Sequence, residues 1–128
     1  MEGRREARER ALELLYEAEA KDTSGAELIS TLPIAPDPYS ARVVEGVDAH
    51  QDEIDALLTR YSKGWTLTRM PAVDRALLRL ATYELLHEPD VPVGVVISEA
   101  VELASEFSTD DSGRFVNGVL SAIAKRDE

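Results

Sequence analysis

The chain has 128 residues, no cysteine and a formal net charge of −11. The lack of cysteine excludes a disulfide framework and a thiolate metal site, and it is typical of a protein from a reducing compartment. Excess acidic charge argues against general affinity for nucleic acid, which depends mainly on Lys and Arg, so any nucleic-acid contact would have to be local. No apolar run approaches the roughly 20 residues of a membrane span, and the N-terminus lacks an apolar signal region. We therefore expect a cytoplasmic protein with no membrane partner.

The first predicted helix spans residues 4–20, which contain no Gly or Pro. Arg5, Arg8 and Tyr16 fall along one flank of it. Guanidinium groups and a phenol on one strip can hold phosphates and stack on a base. Alternatively, the arginines pair with neighbouring glutamates on a solvated face while the tyrosine covers the core, and spacing alone favours this structural interpretation.

The middle of the chain predicts three further helices. A short one at residues 26–32 precedes an extended, proline-rich connector. Residues 39–61 form the longest predicted helix, which Gly64 ends. Trp65 follows, and packing in the core is the favoured interpretation over exposed stacking. Residues 72–87 carry too many apolar side chains for one narrow stripe, so this helix should be central.

Two helices and the corner between them complete the chain. The helix at residues 93–107 directs its apolar positions, Phe107 among them, to the core. Residues 108–112 end it and begin the last helix. Arg114 and Phe115 lie near that helix start, where an aromatic side chain and a cation can receive an unstacked base. Asn117 and Gly118 are poor helix formers in mid-helix, which predicts a close helix crossing or a buried amide.

The pattern predicts an all-α protein of six helices, or five if the short one does not form. We expect one domain over residues 1–128, with an N-terminal bundle at about 1–64 and a C-terminal bundle at about 65–128. His50 and His87 lack metal-ligand spacing and are expected at the surface. Asp110 and Asp111 suit helix capping better than acid–base catalysis. The sequence indicates a binding protein, not an enzyme, with no cofactor and no metal.

Several blocks of sequence, in order along nearly the whole chain, resemble one family, the NusB bacterial transcription antitermination factors. The blocks are Arg4-Arg5-x-Ala7-Arg8 with Ala11 and Leu15-Tyr16, Asp74-Arg75-x-Leu77-Leu78-Arg79-Leu80-Ala81-x-Tyr83-Glu84-Leu85, Val91-Pro92, Glu99-Ala100-Val101-Glu102-Leu103-Ala104, and Asp111-Ser112-x-x-Phe115-Val116-Asn117-Gly118-Val119-Leu120. The last block is the most specific. Residues 22–38 depart from any pattern of the family.

The resemblance implies two packed three-helix bundles and a role in transcription. It implies pairing with NusE, a small-subunit ribosomal protein, and binding of the boxA element of ribosomal RNA leader transcripts, which keeps RNA polymerase in an elongation complex. The implied RNA-binding residues are Arg4, Arg5, Arg8, Tyr16, Asp111, Arg114 and Phe115. The implied NusE-facing residues are Asp74, Arg75, Tyr83 and Glu84. With few arginines near phosphate, RNA binding by this chain alone should be weak and salt-sensitive.

The alternative is a protein-interaction module of the same fold with no RNA role of its own. In one version the chain forms a homodimer that buries the surface of the first helix and hides its arginines. Sedimentation with and without RNA distinguishes these possibilities, because RNA should split a dimer that covers the RNA site.

Overall fold

The computed structural model describes residues 2–126, with side chains from residue 4 onward. Seven α-helices and one short 3-10 helix make up the regular structure of this range, and it contains no strand. The helices are α1 (Glu2–Ala20), α2 (Gly25–Ser30), α3 (Pro38–Ala49), α4 (Gln51–Tyr61), α5 (Ala72–His87), α6 (Val93–Phe107) and α7 (Asp110–Ala124), with the 3-10 helix at Leu67–Arg69. The all-α prediction is confirmed. No helix within this range is both long and apolar enough to cross a membrane.

The predicted single helix at residues 39–61 is wrong, because the chain changes direction at His50. The backbone of His50 has φ −118° and ψ 19°, outside the helical region, and it separates α3 from α4. Its N–H still donates to Gly46 O, and its carbonyl accepts from Ile54 N, so hydrogen bonding continues across the break. The longest described helix is instead α1, with 19 residues.

The break lets α3 and α4 pack on different neighbours. The first of them lies against α1, α2 and α5, while α4 lies mainly against α5 and α7. A straight helix cannot follow both surfaces. Helix α4 therefore packs beside helices of the C-terminal half of the chain.

Helix α5 is central, as its apolar positions predict. It contacts α1 and α3 on one side and α4, α6 and α7 on the other. Most of its residues are buried, including Leu77, Leu78 and Leu80. Burying a large aliphatic side chain contributes about 1.5–3 kcal/mol, so this helix joins the two groups through one continuous core.

Side-chain caps mark several helix starts. The Ser24 hydroxyl accepts a hydrogen bond from Glu27 N, and the Glu27 carboxylate accepts one from Ser24 N. This capping box explains how a helix as short as α2 forms. Thr109 accepts from Ser112 N and caps α7. The predicted stop and start at residues 108–112 is confirmed, with a threonine as the capping residue.

Two mid-helix glycines differ in their surroundings. A Cβ on Gly46 would lie 2.2 Å from the ring of Tyr83, which is buried. Gly118 is exposed and has no atom within 4 Å of such a Cβ, and Asn117 is exposed as well. The close approach predicted at Asn117 and Gly118 is therefore wrong. Among the described glycines, close approaches occur instead at Gly46, at Gly25 and, on α7, at Gly113.

This difference predicts opposite effects on stability for the same substitution. Gly46→Ala should lower the free energy of unfolding by about 1–3 kcal/mol, because the methyl group overpacks against Tyr83. Gly118→Ala should raise it by about 0.5–1 kcal/mol, since alanine loses less backbone entropy in a helix. Chemical denaturation of both variants measures the two changes. A neutral or stabilising Gly46→Ala would contradict the packing described here.

Candidate nucleic-acid interface

Two exposed aromatic side chains form a groove between α1 and the end of α6. Tyr16 is 47% exposed and Phe107 is 45% exposed. Leu12 and Val73 form the floor of the groove, which encloses about 460 Å³. The prediction that Phe107 faces the core is therefore wrong, because it lies in the last turn of α6, where the helix reaches the edge of the bundle.

A second recess lies at the corner between α6 and α7. Trp65 and Phe115 face each other there, with ring centroids 6.0 Å apart. Thr109 and Asp111 complete the wall of this cleft of about 390 Å³. Trp65 is 49% exposed, so the favoured interpretation of a core tryptophan is wrong. The ring is exposed enough to stack on a base, which was the less favoured interpretation of the sequence.

The groove and the cleft are neighbours on one surface. Val73 lines the groove and Asp74, the next residue of α5, lines the cleft. Phe107 lines the groove and Thr109 lines the cleft, and these residues are two positions apart in the chain. We call Tyr16, Phe107, Phe115 and Trp65 together the aromatic strip. The strip includes side chains from the flank of α1, the end of α6 and the start of α7.

Arg5 lies beside this surface but is held by carboxylates of α6. Its guanidinium donates to Glu99 at 3.3 Å, to Glu102 at 2.7 Å and to Glu106 at 3.3 Å. The hydrogen bond to Glu102 outweighs partial burial and raises the pKa of Arg5 above its usual value. A phosphate would have to compete with three glutamates for this side chain.

Arg8 does not reach the surface. It is 3% exposed, and its Nε donates to both carboxylate oxygens of Glu84 at 3.0 Å. The Tyr39 hydroxyl donates to the same carboxylate. Burial disfavours the charge on Arg8, but the hydrogen bond and the charge of Glu84 outweigh it and raise its pKa. The expected RNA contact of Arg8 is therefore corrected to a structural role between α1, α3 and α5.

Arg114 is the cation that the corner presents openly. Its side chain is 81% exposed and pairs with Asp111, whose side chain is 85% exposed. Asp111 does not cap α7, because Thr109 does. Arg4 does not line either recess; its guanidinium lies over the ring of Tyr39, 4.0 Å from the centroid. The arrangement can stack bases along the aromatic strip, but it offers few free cations for phosphates.

The residues expected to face a protein partner mostly connect helices inside the fold. Asp74 is buried and accepts from Ser112 Oγ at 2.9 Å. The buried Tyr83 hydroxyl donates to Glu88 at 2.7 Å. Arg75 donates to Glu19 and to two backbone carbonyls, and its side chain is 15% exposed. With Glu84 also buried against Arg8, these four side chains do not form an exposed surface.

The chain is an all-helical protein with an exposed aromatic surface, which places it in the class of helical binding proteins. Within that class, the chain belongs to the NusB family, whose family model matches residues 5–125. It is 50% identical to the transcription antitermination protein NusB of Kineococcus radiotolerans, over 100% of this chain and 97% of that protein. It is 51% identical to the protein of the same description from Beutenbergia cavernae, over 98% of this chain and 91% of that protein.

Solved structures of the family have the same fold. The chain superimposes on T. maritima NusB with a TM-score of 0.86 and 37% identity, covering 96% of this chain and 91% of that chain. It is also similar to a chain in a structure of the antitermination factors NusB and NusE in complex with dsRNA. That match has a TM-score of 0.83 and 29% identity, and it covers 98% of each chain.

Proposed function

We propose that the chain is an RNA-binding transcription antitermination factor that pairs with NusE and binds boxA RNA of ribosomal RNA leader transcripts. The observation that carries the proposal is the sequence identity of about 50% between this chain, over nearly its whole length, and NusB antitermination proteins. A structural neighbour that contains NusB, NusE and RNA supports both partners. In this role the chain acts in the cytoplasm as one domain, by binding rather than by catalysis, and it joins the elongation complex of RNA polymerase.

The aromatic strip is the part of the surface that we assign to RNA. Unpaired bases stack on aromatic rings at about 1–3 kcal/mol per base, with little dependence on sequence. Tyr16 and Phe107 would receive one part of the strand and Trp65 with Phe115 another. We assign phosphate contacts to Arg4, Arg5 and Arg114, of which Arg114 is the most exposed, while the buried Arg8 joins α1 to α5.

Acidic side chains make a partner necessary for tight binding. Glu9, Glu13 and Glu17 edge the groove around Tyr16 and oppose phosphate there. Another acidic region, with Glu19, Asp48 and Asp52, borders the cavity next to Arg79, one turn of α5 from Arg75. Opposite charge accelerates and orients association, so a basic ribosomal protein suits this second region. We place NusE on this side, where Asp52 is exposed, rather than on the buried Asp74, Tyr83 and Glu84.

A binding titration tests the proposed function. Labelled boxA RNA is titrated with this chain alone and with an equimolar mixture of the chain and NusE, at two salt concentrations. We expect markedly tighter binding with NusE and a steeper dependence on salt, because the basic partner neutralises more phosphates. Equal affinity with and without NusE would contradict the proposal. If sedimentation then shows a homodimer that RNA leaves intact, the interaction module without an RNA role is the better description.

Asp111 offers a sharper test at the corner. Asp111→Asn removes a negative charge beside the expected phosphate path and releases Arg114 from its ion pair. RNA affinity in the presence of NusE should rise by about 2–5-fold, since exposed charge interactions amount to about 0.3–1 kcal/mol. Asp110→Asn is the matched control, because Asp110 lies in the same first turn of α7 but does not line the cleft. An equal gain in both variants would show a general charge effect, and weaker binding by Asp111→Asn would contradict the assignment.

A further inference from the structure

The fold brings both histidines of the chain together with a glutamate. The two histidines are 37 residues apart in sequence. His50 is at the break between α3 and α4, and His87 is in the last turn of α5. Their rings are stacked, with centroids 3.8 Å apart and planes inclined by 23°. The sequence showed no metal-ligand spacing here, because the two histidines are far apart in the chain and only the folded structure brings them together.

The carboxylate of Glu53 lies beside the stacked rings, next to one nitrogen of each. Its Oε1 is 3.0 Å from His87 Nε2 and 3.5 Å from His50 Nδ1. These three ligand atoms all lie within 4.8 Å of one another. All three side chains are partly exposed, at 29% for His87, 40% for His50 and 52% for Glu53. A dissolved ion can therefore reach the cluster.

The chemistry of the cluster fits zinc. Two imidazole nitrogens and one carboxylate oxygen form a common zinc ligand set, with distances of about 2.0–2.2 Å to the metal. To bind one ion, the two stacked rings would have to rotate apart until both nitrogen lone pairs point at it, and solvent would take the fourth position. Calcium and magnesium prefer oxygen ligands, so they do not suit two imidazoles.

We propose that His50, Glu53 and His87 bind a zinc ion. The ion ties the break between α3 and α4 to the last turn of α5. In this way it fixes the direction in which the chain leaves the N-terminal group of helices. The simpler alternative is that Glu53 accepts hydrogen bonds from both rings and no metal binds.

The test uses the full chain without a histidine tag, after treatment with a chelator. Zinc is titrated at pH 7.5 by calorimetry and by thermal unfolding. We expect a 1:1 complex and a rise in Tm of at least about 5 °C at saturating zinc. His87→Gln and His50→Gln should each weaken zinc binding at least about 10-fold, since even outer-shell partners of a metal cost about 10–100-fold. Glu45→Gln, which removes an exposed carboxylate of α3, is the control and should leave the affinity unchanged.

Two further readouts distinguish a built site from loose attraction to acidic side chains. Because the chain has only two histidines, a nitrogen-15 spectrum of the imidazoles should show both rings shift together on zinc addition. Magnesium should produce neither these shifts nor the rise in Tm. The proposal is overturned if zinc does not bind, or if His50→Gln with His87→Gln binds it as tightly as the unmodified chain.

Discussion

Glu84→Ala is expected to lower the free energy of unfolding by about 3–5 kcal/mol, because it leaves the buried guanidinium of Arg8 without its charge partner. Glu84 is 1% exposed and accepts hydrogen bonds from Arg8 and Tyr39. One carboxylate on α5 thereby joins α1 and α3 to the central helix. Burial and the Glu84 hydrogen bond also raise the pKa of Tyr39, so its hydroxyl stays protonated and keeps donating.

Urea denaturation of three variants measures this effect. Glu84→Gln keeps a hydrogen-bonding group without the charge. It should lower the free energy of unfolding by less than Glu84→Ala does. Glu13→Ala is the matched control, since Glu13 pairs with Arg10 at 3.2 Å and its side chain is 65% exposed. An exposed pair of this kind contributes about 0–1 kcal/mol. A Glu84→Ala variant as stable as Glu13→Ala would show that the buried pair does not hold the two groups of helices together.

Removal of the exposed rings should produce the largest loss of RNA binding. We expect Tyr16→Ala and Trp65→Ala each to weaken boxA binding, measured with NusE present, by about 5–150-fold, which corresponds to the loss of about 1–3 kcal/mol of stacking per base. Both rings are about half exposed, so their removal should disturb the core little.

Matched variants separate stacking from other effects. Tyr16→Phe keeps the ring and should retain most of the affinity. Ile34→Ala removes a large apolar side chain that is 82% exposed and is not part of either recess, so it should not change RNA binding. If Tyr16→Ala and Trp65→Ala both bind like Ile34→Ala, the aromatic strip is not the RNA surface.

Hydrophobic periodicity was sufficient to predict most of the helices. Helices α1, α5, α6 and α7 each repeat apolar residues every three or four positions, and local caps such as Ser24 and Thr109 mark further starts. Neither Gly nor Pro marks the break at His50, and one polar residue, Gln51, in the apolar seam of residues 39–61 is too weak a signal to predict it. It follows from the different neighbours of α3 and α4, which is a property of the packed fold.

The candidate site was predictable in part. Family motifs led to Tyr16 and Phe115, which lie on the aromatic strip. They also led to Arg8, which is buried because Glu84 lies 76 residues further along the chain and reaches the same point in space. Periodicity assigns a side chain to a helix face, but it does not say whether another element covers that face. Trp65 and Phe107 were misplaced for the same reason, since their exposure depends on where neighbouring helices end.

Mapping of backbone amide shifts on RNA binding tests the central claim most directly. The nitrogen-15 labelled chain, bound to unlabelled NusE, is titrated with boxA RNA. The largest shifts should follow the aromatic strip, at Tyr16, Trp65, Phe107 and Phe115, and should include Asp111 and Arg114 at the corner. Shifts concentrated on α2 and Ile34, with the strip unchanged, would contradict the account.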